Sequence, residues 1–269
     1  MLSRPKLGIA TWIFGKRPLS ETLAEIATMD KVDGVELWVD IDHDSPAQVK
    51  SLLEQHQLAL FGLTPDNVDL ANPDENIRAS AIDYYKRLIV FAAELDAPRV
   101  LIRPFLGRER PLMSREEEIG GLKTAVSQLA KFAASYSLQL GFEVVNRYES
   151  HLINTGREAE LFLQDIALDN LGVVLSTFHM NIEEQDAAGV IRQLGEKVQL
   201  LHMADSNRRG IGQGHLKLGL HLWAIQDLPH EIPIILDFLP VHTNPIHLQH
   251  TETTLAQLKE SLSNAANWF

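Results

Sequence analysis

Apolar positions along the chain fall into two alternating patterns. Short, nearly continuous apolar and β-branched runs cover Leu7–Ile13, Gly34–Val39, Leu58–Leu63, Arg99–Pro104, Leu138–Val145, Leu171–Thr177, Val198–Ala204 and Ile232–Phe238. Runs without polar alternation predict parallel strands buried on both faces. The stretches between them carry a helical period. Asp74–Leu95 places Ile77, Ala81, Tyr84, Leu88, Phe91 and Leu95 near one face. Ser20–Met29 repeats Leu23, Ile26 and Ala27 in the same way, and Ser45–His56 opens on Ser-Pro, a helix-start signal. Ser114–Tyr136 opens Ser-Arg-Glu-Glu, which reads as a capping box. Gly156–Ile166, Ile182–Leu194, His221–Leu228 and Thr251–Ala266 complete the helical set.

Eight strands, each followed by a helix, predict a single (β/α)8 TIM barrel spanning residues 1–269. A doubly wound open sheet is the alternative. It would carry a Gly-rich phosphate turn after the first strand, and none is present. Gly212-Gln213-Gly214 follows the seventh run instead and reads as a loop. The segments Thr64–Pro73 and Phe105–Arg115 are expected to rim the barrel mouth.

Composition changes this picture in two ways. The chain has 24 Lys+Arg against 36 Asp+Glu, a formal net charge of −12, which argues against nucleic acid or an anionic membrane surface as a partner. It has no cysteine and 11 histidines. Thiolate metal sites, disulfides and Cys nucleophiles are therefore excluded, and any metal site is built from carboxylates, imidazoles and other oxygen donors. No run approaches the ~18 consecutive apolar residues of a membrane span, and no signal peptide follows the basic start, so a cytoplasmic location is expected.

In a TIM barrel, chemistry sits at the C-terminal ends of the strands. Strand five ends Phe142-Glu143, strand six Leu175-Ser176-Thr177-Phe178-His179, strand seven Leu201-His202-Met203-Ala204-Asp205, and strand eight Leu236-Asp237. Four consecutive strands thus deliver Glu143, Ser176, His202 and Asp237 to one side of one mouth. A charged side chain in an apolar strand is costly unless it is paired, hydrogen-bonded or bound to a metal. Oxygen donors with one imidazole suit Mn2+, Mg2+ or Co2+.

The stretches FEVVNRYESHLINT, LSTFHMNIEE, LHMADSNRRGIGQGH and IILDF resemble the xylose-isomerase-like barrels of sugar isomerases and epimerases, nearest to the ketose 3-epimerases of D-tagatose and D-psicose type. The resemblance implies a divalent metal (Mn2+, Co2+ or Mg2+), a small sugar substrate, and proton transfer through an enediolate. It also implies a homo-oligomer. On this pattern Glu143 and His202 match metal ligands. Asp237 stands where the family carries its last Glu, and Ser176 where it carries Asp. Glu143 and Asp237 would be the two carboxylates that take and return the proton. Glu149, His179 and Arg208 match residues that hold the sugar.

Two departures follow from the same match. Ser176 is neutral and a weak ligand, and Asp237 is shorter than Glu by one methylene, about 1.5 Å of reach. Either a water fills the gaps, or the metal shifts, or metal binding is weak or absent. The competing reading is a degenerate relative that binds a carbohydrate without turning it over, or serves as a partner subunit.

Blander readings stand beside these. Glu143 could pair with Arg103 or Arg147, and Glu149 could form a salt-bridged rim with Arg147 or Arg208. Trp12 and Phe14 are expected either to stack on a sugar or to pack the barrel top. Glu36 ends strand two, with a structural role as the alternative. Lys217 is a cation placed near the mouth or in solvent. His242, His247 and His250 are expected in a solvated loop rather than a metal tract.

Overall fold

The computed structural model describes residues 4–240 and 252–266. Eight parallel strands close into a barrel in sequence order: β1 (Leu7–Ala10), β2 (Gly34–Trp38), β3 (Ala59–Thr64), β4 (Arg99–Ile102), β5 (Gln139–Glu143), β6 (Leu171–Ser176), β7 (Val198–Met203) and β8 (Ile234–Leu236). Pairing of β1 with β8 completes the ring, so no sheet edge is left open. Around it lie α1 (Leu19–Ile26), α2 (Pro46–Gln55), α3 (Glu75–Glu94), α4 (Arg115–Ala134), α5 (Gly156–Ile166), α6 (Thr177–Glu183), α7 (Ala187–Leu194), α8 (Leu218–Gln226) and α9 (Glu252–Asn264). The expected (β/α)8 barrel is therefore the fold. No described helix is long and apolar enough to cross a membrane.

Local signals explain the helix starts. Ser114 and Glu117 form the expected capping box of α4, and Thr155 with Glu158 forms a second one on α5. Each satisfies backbone donors that a helix N-terminus leaves without partners.

Three expectations need correction. The first strand stops at Ala10, and Thr11–Phe14 turns into a 3-10 helix that ends at Gly15, whose φ of +66° suits glycine. Its β-branched content resembles a strand, but the chain must bend there to carry Trp12 over the mouth. Ile182–Leu194 is not one helix. A separate helix, α6, begins directly after Ser176, and Asp186 starts α7 by accepting the Gly189 N–H at 2.9 Å. The eighth helix begins at Leu218, not His221. The expected loop with His242, His247 and His250 lies outside the described residues.

Two strand irregularities set the barrel floor. Between β2 and β3 the register steps from Val35↔Leu60 to Glu36↔Gly62, so Phe61 is an extra residue. Between β6 and β7 it steps from Val173↔Val198 to Val174↔Leu200, so Gln199 is extra. Such bulges re-aim the residues beyond them. The Phe61 ring occupies the place of a side chain at position 8, where a Cβ would lie 2.7 Å from it. The Gln199 amide likewise lies 2.6 Å from where a Cβ of residue 172 would be. Glycines at these two positions let large side chains fill the floor, and beyond the second bulge His202 comes into register with Ser176.

Candidate active site

The strand ends converge as expected. Glu143 closes β5, His202 lies near the end of β7, and Asp237 directly follows β8. All three are buried and line a small cavity at the barrel mouth. Their ligand atoms lie within 4.8 Å of one another. Atoms around a single ion of Mg2+ size sit about 3–4 Å apart, given bond lengths near 2.1 Å.

His202 is oriented from behind. Its Nε2 donates to Glu36 Oε2 at 2.8 Å, and the other oxygen of Glu36 accepts from Thr64 Oγ1 at 2.5 Å. Glu36 is fully buried in the middle of β2, not at its end as expected, since the strand runs on to Trp38. This contact takes up Nε2 and orients the ring, so Nδ1 is the nitrogen that faces the cavity. There it stands 3.4 Å from Glu143 Oε1 and 3.7 Å from Asp237 Oδ2, and it has no hydrogen-bond partner. A buried polar atom without a partner needs a reason.

The electrostatics give one. Burial lowers the proton affinity of His202, yet the charges of Glu36 and Asp237 and the contacts with Glu143 and Glu36 raise it well above the usual histidine range. Burial pushes the Glu143 carboxyl up, but the contact with His202 and the charges of His202 and Arg103 outweigh it and bring it down to about 2. Burial raises Asp237, only partly offset by His202 and reinforced by Glu143 and Glu36. Three carboxylates and one imidazole thus hold a strong attraction for positive charge at Nδ1. The donor types suit a divalent cation, which Glu143, His202 and Asp237 could hold while Glu36 orients the imidazole.

The remaining expected residues divide. His179 lines the cavity, and its Nδ1 accepts from the backbone N–H of Asn146 at 3.2 Å and from Asn146 Nδ2 at 2.8 Å. Its Nε2 then carries the proton. Burial and the neighbouring Arg208 bring its pKa down to about 3, so it stands as a neutral donor. Arg208 lines the cavity and pairs with Glu149 at 2.5 Å, so Glu149 supports the wall through Arg208. Ser176 closes β6, buried and in register with His202, but does not itself line the cavity. Arg147 pairs with Glu183 instead of Glu143.

Leu106 and Val145 add apolar surface to the wall, and four other residues bring polar groups to it or to its support. Trp12 lines the cavity and donates its indole N–H to Asp237 Oδ1, while Phe14 is fully buried. Trp12 thus packs against the core, as one of its two expectations had it, and also positions a site carboxylate. Glu36 and Thr64 act behind His202. Arg103, just past β4, lines the cavity as a second guanidinium. Lys217 immediately precedes α8 and does not reach the cavity. The signal for Glu36 was its place as an acid inside an apolar strand. Nothing local marked Thr64 or Arg103.

Comparison with known proteins identifies the family. The model of the xylose isomerase-like TIM barrel family matches residues 23–264, and the chain belongs to that family. It is 30% identical over 197 residues to a ketose 3-epimerase of Arthrobacter globiformis, covering 70% of this chain and 66% of that enzyme. It is 28% identical over 196 residues to a D-psicose 3-epimerase of Agrobacterium fabrum, with 70% and 66% covered. The aligned stretch thus spans just under two thirds of these relatives. A crystal structure of D-allulose 3-epimerase from Methylomonas sp. in complex with D-allulose superposes with a TM-score of 0.87 at 22% identity, covering 99% of this chain and 98% of that one.

Proposed function

We propose that this member of the xylose isomerase-like TIM barrel family is a sugar epimerase or isomerase. It would act on a ketose or related polyol carbonyl compound by proton transfer beside the carbonyl. The observation that carries this reading is the unpartnered Nδ1 of His202, held between two carboxylates in the mouth cavity.

Glu143, His202 and Asp237 are the residues that would hold a divalent cation, with Ser176 beside them. When bound, that cation supplies Lewis-acid stabilisation of the negative charge that develops on the substrate oxygens. The proton next to a carbonyl is removed by a carboxylate within reach of it. Glu143 from β5 and Asp237 from β8 approach the cavity from different strands, so one can take the proton and the other return it to the opposite face. Microscopic inversion at one carbon is the result. His179 Nε2–H and the Arg208 guanidinium donate to substrate oxygens and fix which carbon lies between the carboxylates. Trp12 holds Asp237 in place through its indole N–H.

The site is altered relative to its family pattern, with Ser176 in place of Asp and Asp237 in place of Glu. One formal negative charge is lost, so the metal is held more weakly. A binding protein without turnover is the outcome if that weakening has gone too far.

The test is solvent exchange. Purified protein supplied with Mn2+, Co2+ or Mg2+ is incubated in D2O with a panel of ketoses, and the C3 epimer and deuterium at the α carbon are followed by NMR. The expected result is deuterium incorporation with epimer formation, abolished in Glu143→Gln. Metal bound at the site but no exchange across the panel would overturn enzymatic function in favour of the binding protein.

A further inference from the structure

Two guanidinium groups line the mouth cavity, and their situations differ. Arg208 is neutralised by Glu149 at 2.5 Å. Arg103 has no ion-pair partner among the described residues. Of its five N–H groups, one on Nη2 donates to the Pro65 carbonyl at 3.0 Å, and its buried Nε has no partner. Arginines elsewhere around the mouth are paired: Arg147 with Glu183, and Arg108 with both Asp69 and Glu118.

The position of Arg103 is built rather than incidental. Its backbone N–H donates to the Tyr85 hydroxyl at 3.1 Å, and Tyr85 is fully buried in α3. Pro104 follows it and fixes the chain direction just beyond β4. The Pro65 contact ties the guanidinium to the end of β3. The charge reaches Glu143 through space, but no carboxylate oxygen stands within ion-pair distance. A cation held half-buried, with donors left over and the cavity before it, is arranged for an anion that arrives with the substrate.

We infer that the substrate is an acidic sugar, a keto sugar whose carboxylate or phosphate group is received by Arg103 while its carbonyl end meets Glu143, His202 and Asp237. This rests on reading the cavity as a sugar-epimerase site and adds the class of sugar. Water excluded from the cavity would leave the guanidinium unpaired with a neutral ketose, whereas an anionic group forms a charge-assisted, two-pronged contact. Arg103 is thereby a specificity-determining residue. It sets the distance between the anionic end and the reacting carbon.

The experiment uses three matched, unreactive ligands measured by calorimetry on the Mn2+-supplied protein: glucitol, gluconate and glucitol 6-phosphate. Gluconate differs from glucitol only by a carboxylate, and the third only by a phosphate. The expected result is that one anion binds about 100-fold more tightly than glucitol, and which one does so identifies the acidic group. Arg103→Met, which keeps the apolar stem, is expected to reduce that preference to below about 5-fold without changing the melting temperature. Glucitol binding as tightly as both anions overturns the inference, as does failure of all three to bind. So does a preference that survives in Arg103→Met, since the anion then sits elsewhere, for example on the metal. The two readings fail separately. Neutral ketoses turned over with no anion preference leave the epimerase standing, and an Arg103-dependent preference without any α-proton exchange leaves only the acidic-ligand site.

Discussion

Two buried charge clusters lie within the upper part of the barrel, and they are built from the same residue types. At the rim, Arg108 donates to Asp69 at 2.9 Å and also to Glu118. Glu118 further accepts from the backbone N–H groups of Leu112 at 2.5 Å and Met113 at 3.0 Å, and contacts His151 Nε2 at 2.9 Å. His151 Nδ1 meets the Arg108 carbonyl at 3.0 Å. Both oxygens of Glu118 and both ring nitrogens of His151 thus have partners. At the centre, Glu36, Glu143 and Asp237 surround one imidazole, whose Nδ1 has no partner. The rim cluster ties the loops after β3, β4 and β5 together. The central cluster keeps donors and acceptors open toward a cavity. The rim cluster also leaves one buried atom, the Arg108 Nε, without a partner. Burial, charge and a missing partner therefore do not separate a structural cluster from a functional one; an open atom that faces a cavity does. Holding such atoms open works against stability, which is the usual trade at a functional site.

The sharpest way to break this contrast is to remove a charge from each side. Glu118→Ala leaves Arg108 and His151 without their shared carboxylate and is expected to cost about 3–5 kcal/mol of stability, read by denaturant unfolding. Asp237→Asn is expected to stay within about 1 kcal/mol of the parent, because burial already works against the Asp237 charge. Equal losses in the two variants would mean that the central cluster is structural as well.

Next in size is the restoration of the missing acid. Ser176→Asp adds a charged oxygen beside His202 and is expected to tighten Mn2+ binding about 100-fold, measured by calorimetry. No gain would show that position 176 does not reach the metal.

Glu36→Gln tests the support behind the imidazole. The amide can present a donor to Nε2 and favour the wrong tautomer, so metal affinity is expected to fall about 10–100-fold. An unchanged affinity would assign Glu36 to packing alone.

The smallest effect belongs to Thr155→Ala, which removes the α5 cap. It is expected to cost about 1 kcal/mol and to leave metal affinity unchanged. A parallel loss of metal binding would couple the rim helices to the centre and blur the distinction between the clusters.

Much of the fold was legible in the chain. The eight apolar runs are the eight strands because a parallel strand buried on both faces has no polar side to present. The helix starts at Ser114 and Pro46 were legible because capping is a local interaction. The strand ends were less so. β-branched Thr11 and Ile13 look like strand, yet they form a 3-10 turn, and α6 was hidden because Thr177–Glu183 follows β6 with no loop between them. At the site, Glu143, His202 and Asp237 stood out as polar residues inside apolar runs. Thr64, Arg103 and the hydrogen-bonding role of Trp12 did not, because their importance depends on partners 28 to 225 positions away or, for Arg103, on the lack of an ion-pair partner.

The sequence by itself determined the barrel, the exclusion of thiolate chemistry and the convergence of Glu143, His202 and Asp237 on one mouth. These follow from hydrophobic period, composition and the direction in which parallel strands run. Only the tertiary structure decided which nitrogen of His202 faces the cavity, that Glu149 is taken up by Arg208, and that Arg103 keeps its charge open. Those outcomes are set by distances between side chains on different strands, shifted into register by the bulges at Phe61 and Gln199. A local pattern carries no record of them.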